Sequence, residues 1–155
     1  MQKFDLTGIT FLTFVRIDNS ERSENIQAMV SYYRNTCKNY SHIFIEDSDV
    51  STLPDIIDFE SNDTYVFCKS DTEWKKGEGY NKGIKLAKTN IINFIDVDAI
   101  IHPLQLIEGK LSLEKDNNSG IIYPYNGLFL CTDKNLKNKF CEKQDINLFS
   151  LPAPL

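Results

Sequence analysis

A chain of 155 residues that is 41% apolar, 12% aromatic and 25% charged has the composition of one ordinary globular domain, which excludes a disordered tail or a fibre. Its formal charge of -5, with no cluster of Lys and Arg, excludes a phosphate-neutralising surface for nucleic acid. No apolar run approaches the roughly 20 residues that cross a bilayer, and Cys37, Cys68, Cys131 and Cys141 have no C-x-x-C spacing that would suggest structural zinc.

In chain order, "MQKFDLTG" is broken by Asp5 and Gly8 and does not read as a signal peptide, so a cytoplasmic location with reduced thiols is expected, peripheral contact with a membrane staying open. "ITFLTFV", residues 9–15, is a near-continuous apolar and β-branched run, as in a strand buried on both faces. Ile26, Met29, Val30, Tyr33 and Cys37 then recur at helical spacing, with N-cap candidates over residues 18–20. "HIFIED" (42–47) and "TYVFC" (64–68) read as strands. "GYNKGIKLAKT" places Tyr80, Ile84 and Ala87 on one helical face, and "NIINFID" is a fourth strand. Pro103 suits the first position of a short helix that Gly109 should stop. "SGIIYPY" and "GLFLCT" read as two more strands, with Asn126-Gly127 as a turn between them, and 134–143 as a basic helix. This alternation predicts a three-layer α/β/α sandwich with a mostly parallel sheet, in a single domain over residues 1–155.

Ligands of such sheets bind beyond the carboxyl ends of the strands. There the sequence puts Arg16 and Asp18, then Glu46, Asp47 and Asp49, then Asp96 and Asp98. In extended chain, carboxylates at i and i+2 point to one face, roughly 7 Å apart. A divalent cation shared with substrate phosphate would relieve their repulsion. The competing expectation is that the two acids only end the strand.

"YNKGIKLAKTNIINFIDVDAIIHP", "FLTFVRIDNSERSENI" and "IFIEDSD", in the order expected across residues 9–103, resemble the nucleotide-sugar-dependent glycosyltransferases of the GT-A fold, family 2-like or galactosyltransferase-like. The resemblance implies a donor site drawn from Phe14, Arg16, Asp18, Asp47, Lys76, Asn81, Asp96 and Val97, with Asp96 and Asp98 at a Mn²⁺ or Mg²⁺ ion. Asp47 would accept from the base N–H, and Arg16 and Asp18 would border the nucleoside. The implied reaction is transfer of a sugar from a UDP-linked donor to an unknown acceptor, a glycan or a lipid-linked group.

The sequence departs from that pattern in two places. An Arg is expected shortly before the Asn-x-Gly block, where this chain has Lys75 and Lys76. About 50 residues follow Asp98, whereas the family has a longer acceptor half with its catalytic base; no base is assigned here, with Glu108, Glu114, Asp116 and Asp133 as undifferentiated candidates. Two alternatives therefore stand beside the enzyme: a truncated or degenerate donor-binding module, completed by a partner chain or oligomer, and a non-enzymatic interaction domain. D-x-D also opens haloacid-dehalogenase phosphatases, but there it lies on the first strand and is followed by Thr, unlike "DVDAII".

Overall fold

Every side chain of "ITFLTFV" is buried, because this segment is an interior strand with a helix on each face. The computed structural model describes residues 2–70, 74–116, 120–125 and 131–145. They fall in two compact units, Met1–Ile100 and Ile101–Leu155, each considered by itself.

In the first unit the strands are β1 (Phe4–Asp5), β2 (Ile9–Val15), β3 (Cys37–Lys38), β4 (Ser41–Ser48), β5 (Asp63–Lys69) and β6 (Ile91–Phe94). The helices are α1 (Ser20–Thr36) and α2 (Lys76–Leu86). β5-β4-β2-β6 form one sheet with every pairing parallel. β1 and β3 make a separate parallel pair. Two-residue strands carry no period, which is why this pair has no signature in the sequence.

Alternation along β2 separates the layers. Phe11 faces α1, its ring 4.8 Å from Tyr33, and Ile26, Met29, Val30 and Tyr32 bury the rest of that helix face. Asn19 caps α1 by accepting from the Arg22 amide at 2.8 Å, within the expected cap region. Leu12 and Phe14 face the other way and form a core with Ile43 and Ile45, against which Val66, Cys68, Tyr80, Ala87 and Ile92 pack. The three-layer arrangement follows.

The predicted contact face of α2 is corrected in one respect. Its buried positions are Gly79 and Gly83, while Ile84 is exposed. A Cβ on Gly79 would collide with the Phe14 ring, and one on Gly83 with the Leu12 side chain. The glycines let helix and sheet approach more closely than any side chain permits. The glycine of the Asn-x-Gly block is thus a packing residue.

β4 and β5 are joined without an α-helix. Leu53–Asp55 forms one 3₁₀ turn, held by the fully buried Glu46. Its carboxylate accepts from the Thr52 amide and hydroxyl, the Leu53 amide and the Tyr65 hydroxyl. That last bond, after the larger effect of burial, pushes the Tyr65 phenol up to about 12. Glu46 is therefore no part of an acidic rim: it is a buried acceptor on the α1 side of the sheet, satisfied by donors.

In the second unit, α3 spans Pro103–Lys115 and α4 spans Lys134–Lys143, the latter with its predicted bounds. Pro103 opens α3 as expected, but Gly109 does not stop it. An interior glycine costs only about 1 kcal/mol, which the good helix formers after it outweigh. Residues 120–125 form no strand. Residues 119 and 126–130 of the two expected strands lie outside the described residues, so the Asn126-Gly127 turn does too.

Two predictions follow from this core. Gly79→Ala or Gly83→Ala should each destabilise the protein by about 1–3 kcal/mol, as overpacking does; an unchanged urea midpoint would show that α2 is not held this closely. His42, buried among Phe11, Phe44 and Thr13, has its pKa pushed down to about 3 by burial, with Arg34 adding to the effect. The folded pKa lies below the unfolded value, so the unfolded chain takes up this proton first. The stability His42 confers is complete above pH 6.5 and is lost as pH falls toward 3, with a slope of about 1.4 kcal/mol per pH unit. His42→Gln should reduce that slope by one proton's worth in urea titrations across the window; an unaltered slope would contradict it.

Candidate functional site

At the carboxyl end of β4, alternation turns Asp47 toward α2 and away from Glu46. The Asp47 side chain is only 3% exposed and is gripped by Arg16 from the end of β2. Arg16 Nη2 donates to Asp47 Oδ2 at 2.7 Å and Nε donates to its backbone oxygen at 2.6 Å. The guanidinium fork makes this two-point contact, which an ammonium could not.

Arg16 also lies over the indole of Trp74, 5.2 Å from the ring centroid, and Arg22 lies over the same ring at 5.6 Å. Trp74 in turn stands edge-on to Phe14 at 4.8 Å. Phe14 meets Tyr80 at 6.0 Å, Tyr80 lies beneath the Lys76 ammonium at 5.5 Å, and Lys76 Nζ donates to Asp96 Oδ1 at 2.6 Å. Asp47, Arg16, Trp74, Phe14, Tyr80, Lys76 and Asp96 thus form one continuous line of contacts across the strand ends. Asp18 joins it through a 3.2 Å ion pair with Arg22.

A cleft of about 180 Å³ opens beside this line. Phe14 and Asp47 form part of its wall, with Cys68 and Lys69 from β5 and Lys75, Gly79 and Lys82 around the start of α2. Lys82 donates to the Cys68 sulfur at 3.3 Å. Three lysines set against Asp47 and Glu78 suit a ligand that offers both donors and negative charge.

Five of the sequence-predicted donor residues, Phe14, Arg16, Asp47, Lys76 and Asp96, are in direct contact along the line, and Asp18 is one ion pair away. Asn81 is exposed on α2 outside it. Val97 and Asp98 lie on the turn beyond β6, with Asp98 exposed.

The structure corrects the expected geometry of the acid pair. β6 ends at Phe94, the Ile95 amide makes one further bond to the Leu12 oxygen at 3.1 Å, and the chain then turns, the Ala99 amide donating to the Asp96 oxygen at 3.1 Å. The i, i+2 rule for extended chain therefore does not fix the separation of Asp96 and Asp98, because both follow the last strand residue.

The donor set suits a hard divalent cation, which takes one or two carboxylates and completes its shell with water and phosphate oxygens. Among the described residues no group of three or more His, Cys, Asp or Glu side chains assembles a full protein cage. The fit requires Lys76 to yield Asp96 Oδ1. Burial works to lower the Lys76 pKa, but the Asp96 hydrogen bond and the charges nearby outweigh it and raise it, so the ammonium is held charged.

Trp74, 42% exposed, joins two arginines to the core. Arg22 was legible in principle, since it stands four residues after Asp18 on the first turn of α1. His102 precedes α3 and caps it, its Nδ1 accepting from the Leu104 amide. Asp133 caps α4, Asp116 ends α3, and Glu114 pairs with Lys110 at 3.7 Å.

No curated protein matches the chain. The sequence model of the family described as "Glycosyl transferase family 2" matches residues 19–148. That span takes in α1, Asp47, the cleft at the start of α2 and the Asp96-Val97-Asp98 turn, all set on a parallel α/β sheet, and by it the chain belongs to glycosyl transferase family 2.

Proposed function

We propose that the cleft beside Asp47 is the donor site of a metal-dependent glycosyltransferase that takes a nucleotide sugar, UDP-linked, with Asp96 and Asp98 holding Mn²⁺ or Mg²⁺. The observation that carries this reading is the Arg16–Asp47 pair at the strand ends, next to a lysine-lined cleft. A carboxylate with one oxygen fixed by Arg16 accepts a single N–H well, which is the donor uracil offers. Trp74 and Phe14 supply aromatic surface next to it, and the lysines offer charge to a diphosphate.

In this reading the fixed arginine keeps Asp47 oriented, and the lysines stabilise the charge that the departing nucleoside diphosphate gains as the glycosidic bond breaks. A bound divalent ion would add Lewis-acid stabilisation of the same leaving group. The acceptor is a glycan or a lipid-linked group, and no catalytic base is assigned. Among the described residues no helix is long and apolar enough to cross a membrane. The four free cysteines support a cytoplasmic site of action.

The engagement of the Asp133 carboxylate in a helix cap and of Glu114 in an ion pair favours a narrower second reading, a donor-binding module without transfer activity of its own. Release of sugar from UDP-sugars by the isolated chain distinguishes the two: hydrolysis supports the enzyme, and tight UDP binding without hydrolysis supports the module.

Calorimetry with UDP tests the donor site itself. Binding should strengthen when Mn²⁺ is added, and Asp98→Ala should weaken the Mn²⁺-dependent binding by roughly tenfold or more, equivalent to about 1.4 kcal/mol. Binding that ignores Mn²⁺, or that survives the substitution unweakened, would contradict the proposal.

A further inference from the structure

The first acid of the D-x-D turn already has a cation. Lys76 Nζ lies 2.6 Å from Asp96 Oδ1, the length of a charge-assisted hydrogen bond. Both partners are placed by rigid parts of the unit. Lys76 is on the first turn of α2, which the close approach of Gly79 and Gly83 fixes against β2. Asp96 follows directly after Ile95, which is buried and bonded to β2. Tyr80, one turn along α2, lies beneath the ammonium and meets Phe94 at 4.9 Å, so the lysine is held from below as well as by its anion. The two side chains remain 37% and 57% exposed, so water and ions reach the pair.

A divalent ion held by Asp96 would take a carboxylate oxygen as a direct ligand. An ammonium on the same carboxylate would then face a double positive charge at close range. The two cations compete for Asp96.

We propose that Lys76 is a resident counter-ion which a divalent cation must displace from Asp96, so that loading the donor site is a cation exchange that frees Lys76 for the diphosphate. Lys76 is in this sense a positioning residue: it neutralises the acid in the empty site and becomes available as an anion ligand when the metal arrives. The inference rests on the metal reading of Asp96 and adds to it a competitor built into α2.

The exchange predicts opposite signs for one substitution. Lys76→Gln should tighten Mn²⁺ binding in the absence of nucleotide, by about threefold as expected for losing an exposed ion pair, and should weaken UDP binding in the presence of Mn²⁺. Removal of any nearby positive charge would favour a cation in general, so the decisive arm repeats the substitution in an Asp96→Asn background. There the competitor has nothing to compete for, and Lys76→Gln should tighten Mn²⁺ binding clearly less than it does in the presence of Asp96. The readout is free Mn²⁺ by electron paramagnetic resonance, with thermal melts of all four proteins to establish folding; the exposure of both side chains makes large losses of stability unexpected. Equal tightening in both backgrounds, or none in either, would overturn the exchange while leaving the donor site standing. Failure of all four proteins to bind Mn²⁺, with or without UDP, would overturn both the exchange and the metal reading.

Discussion

The approach of α2 to β2 is the constraint on which the site depends. Two glycines four residues apart on one helix face, Gly79 and Gly83, stand where side chains would strike Phe14 and Leu12. Because the backbone itself lies on the sheet, the first turn of α2 is brought over the carboxyl ends of the strands. That places Lys75 and Gly79 at the cleft and Lys76 on Asp96. A larger residue at either position would lift the helix and loosen the polar line along with the core. The packing of α2 and the placement of the cleft are here one geometric fact.

A second constraint is the division of labour between adjacent acids. Glu46 and Asp47 are neighbours in sequence, yet alternation along β4 sends them to opposite faces. Glu46 disappears into the connection between β4 and β5, where backbone amides and hydroxyls satisfy it. Asp47 meets a guanidinium and lines the cleft. Both are buried carboxylates, and the difference in role comes from their partners: neutral donors lock a connection in place, while a single fixed cation leaves a carboxylate able to accept from a ligand.

Much of this was legible in the sequence, and the reasons are specific. β2 and α4 have the bounds their patterns predict, because an unbroken apolar run and a capped, lysine-rich periodic segment are both strong signals. β4, β5 and β6 were legible as strands and differ only at their ends. The D-x-D turn was misplaced because nothing in "INFIDVD" announces that pairing ends before Asp96. Gly109 read as a stop because a glycine's meaning depends on what packs beside it, information that sequence spacing does not contain. The Trp74–Arg16–Arg22 stack and the Lys76–Asp96 pair join residues distant in the chain, so only the fold could bring them together. Family membership, by contrast, was carried by three short blocks in order and agrees with the match over residues 19–148.

The central claim is that the nucleotide occupies the cleft beside Asp47, and Trp74 is placed to report it. It is the only tryptophan in the chain, it lies against Phe14 and Arg16, and it is partly open to solvent. Titration with UDP should therefore change its fluorescence saturably, with a midpoint equal to the calorimetric affinity. A UDP complex detected by calorimetry that leaves the Trp74 emission untouched would place the nucleotide elsewhere and contradict the account.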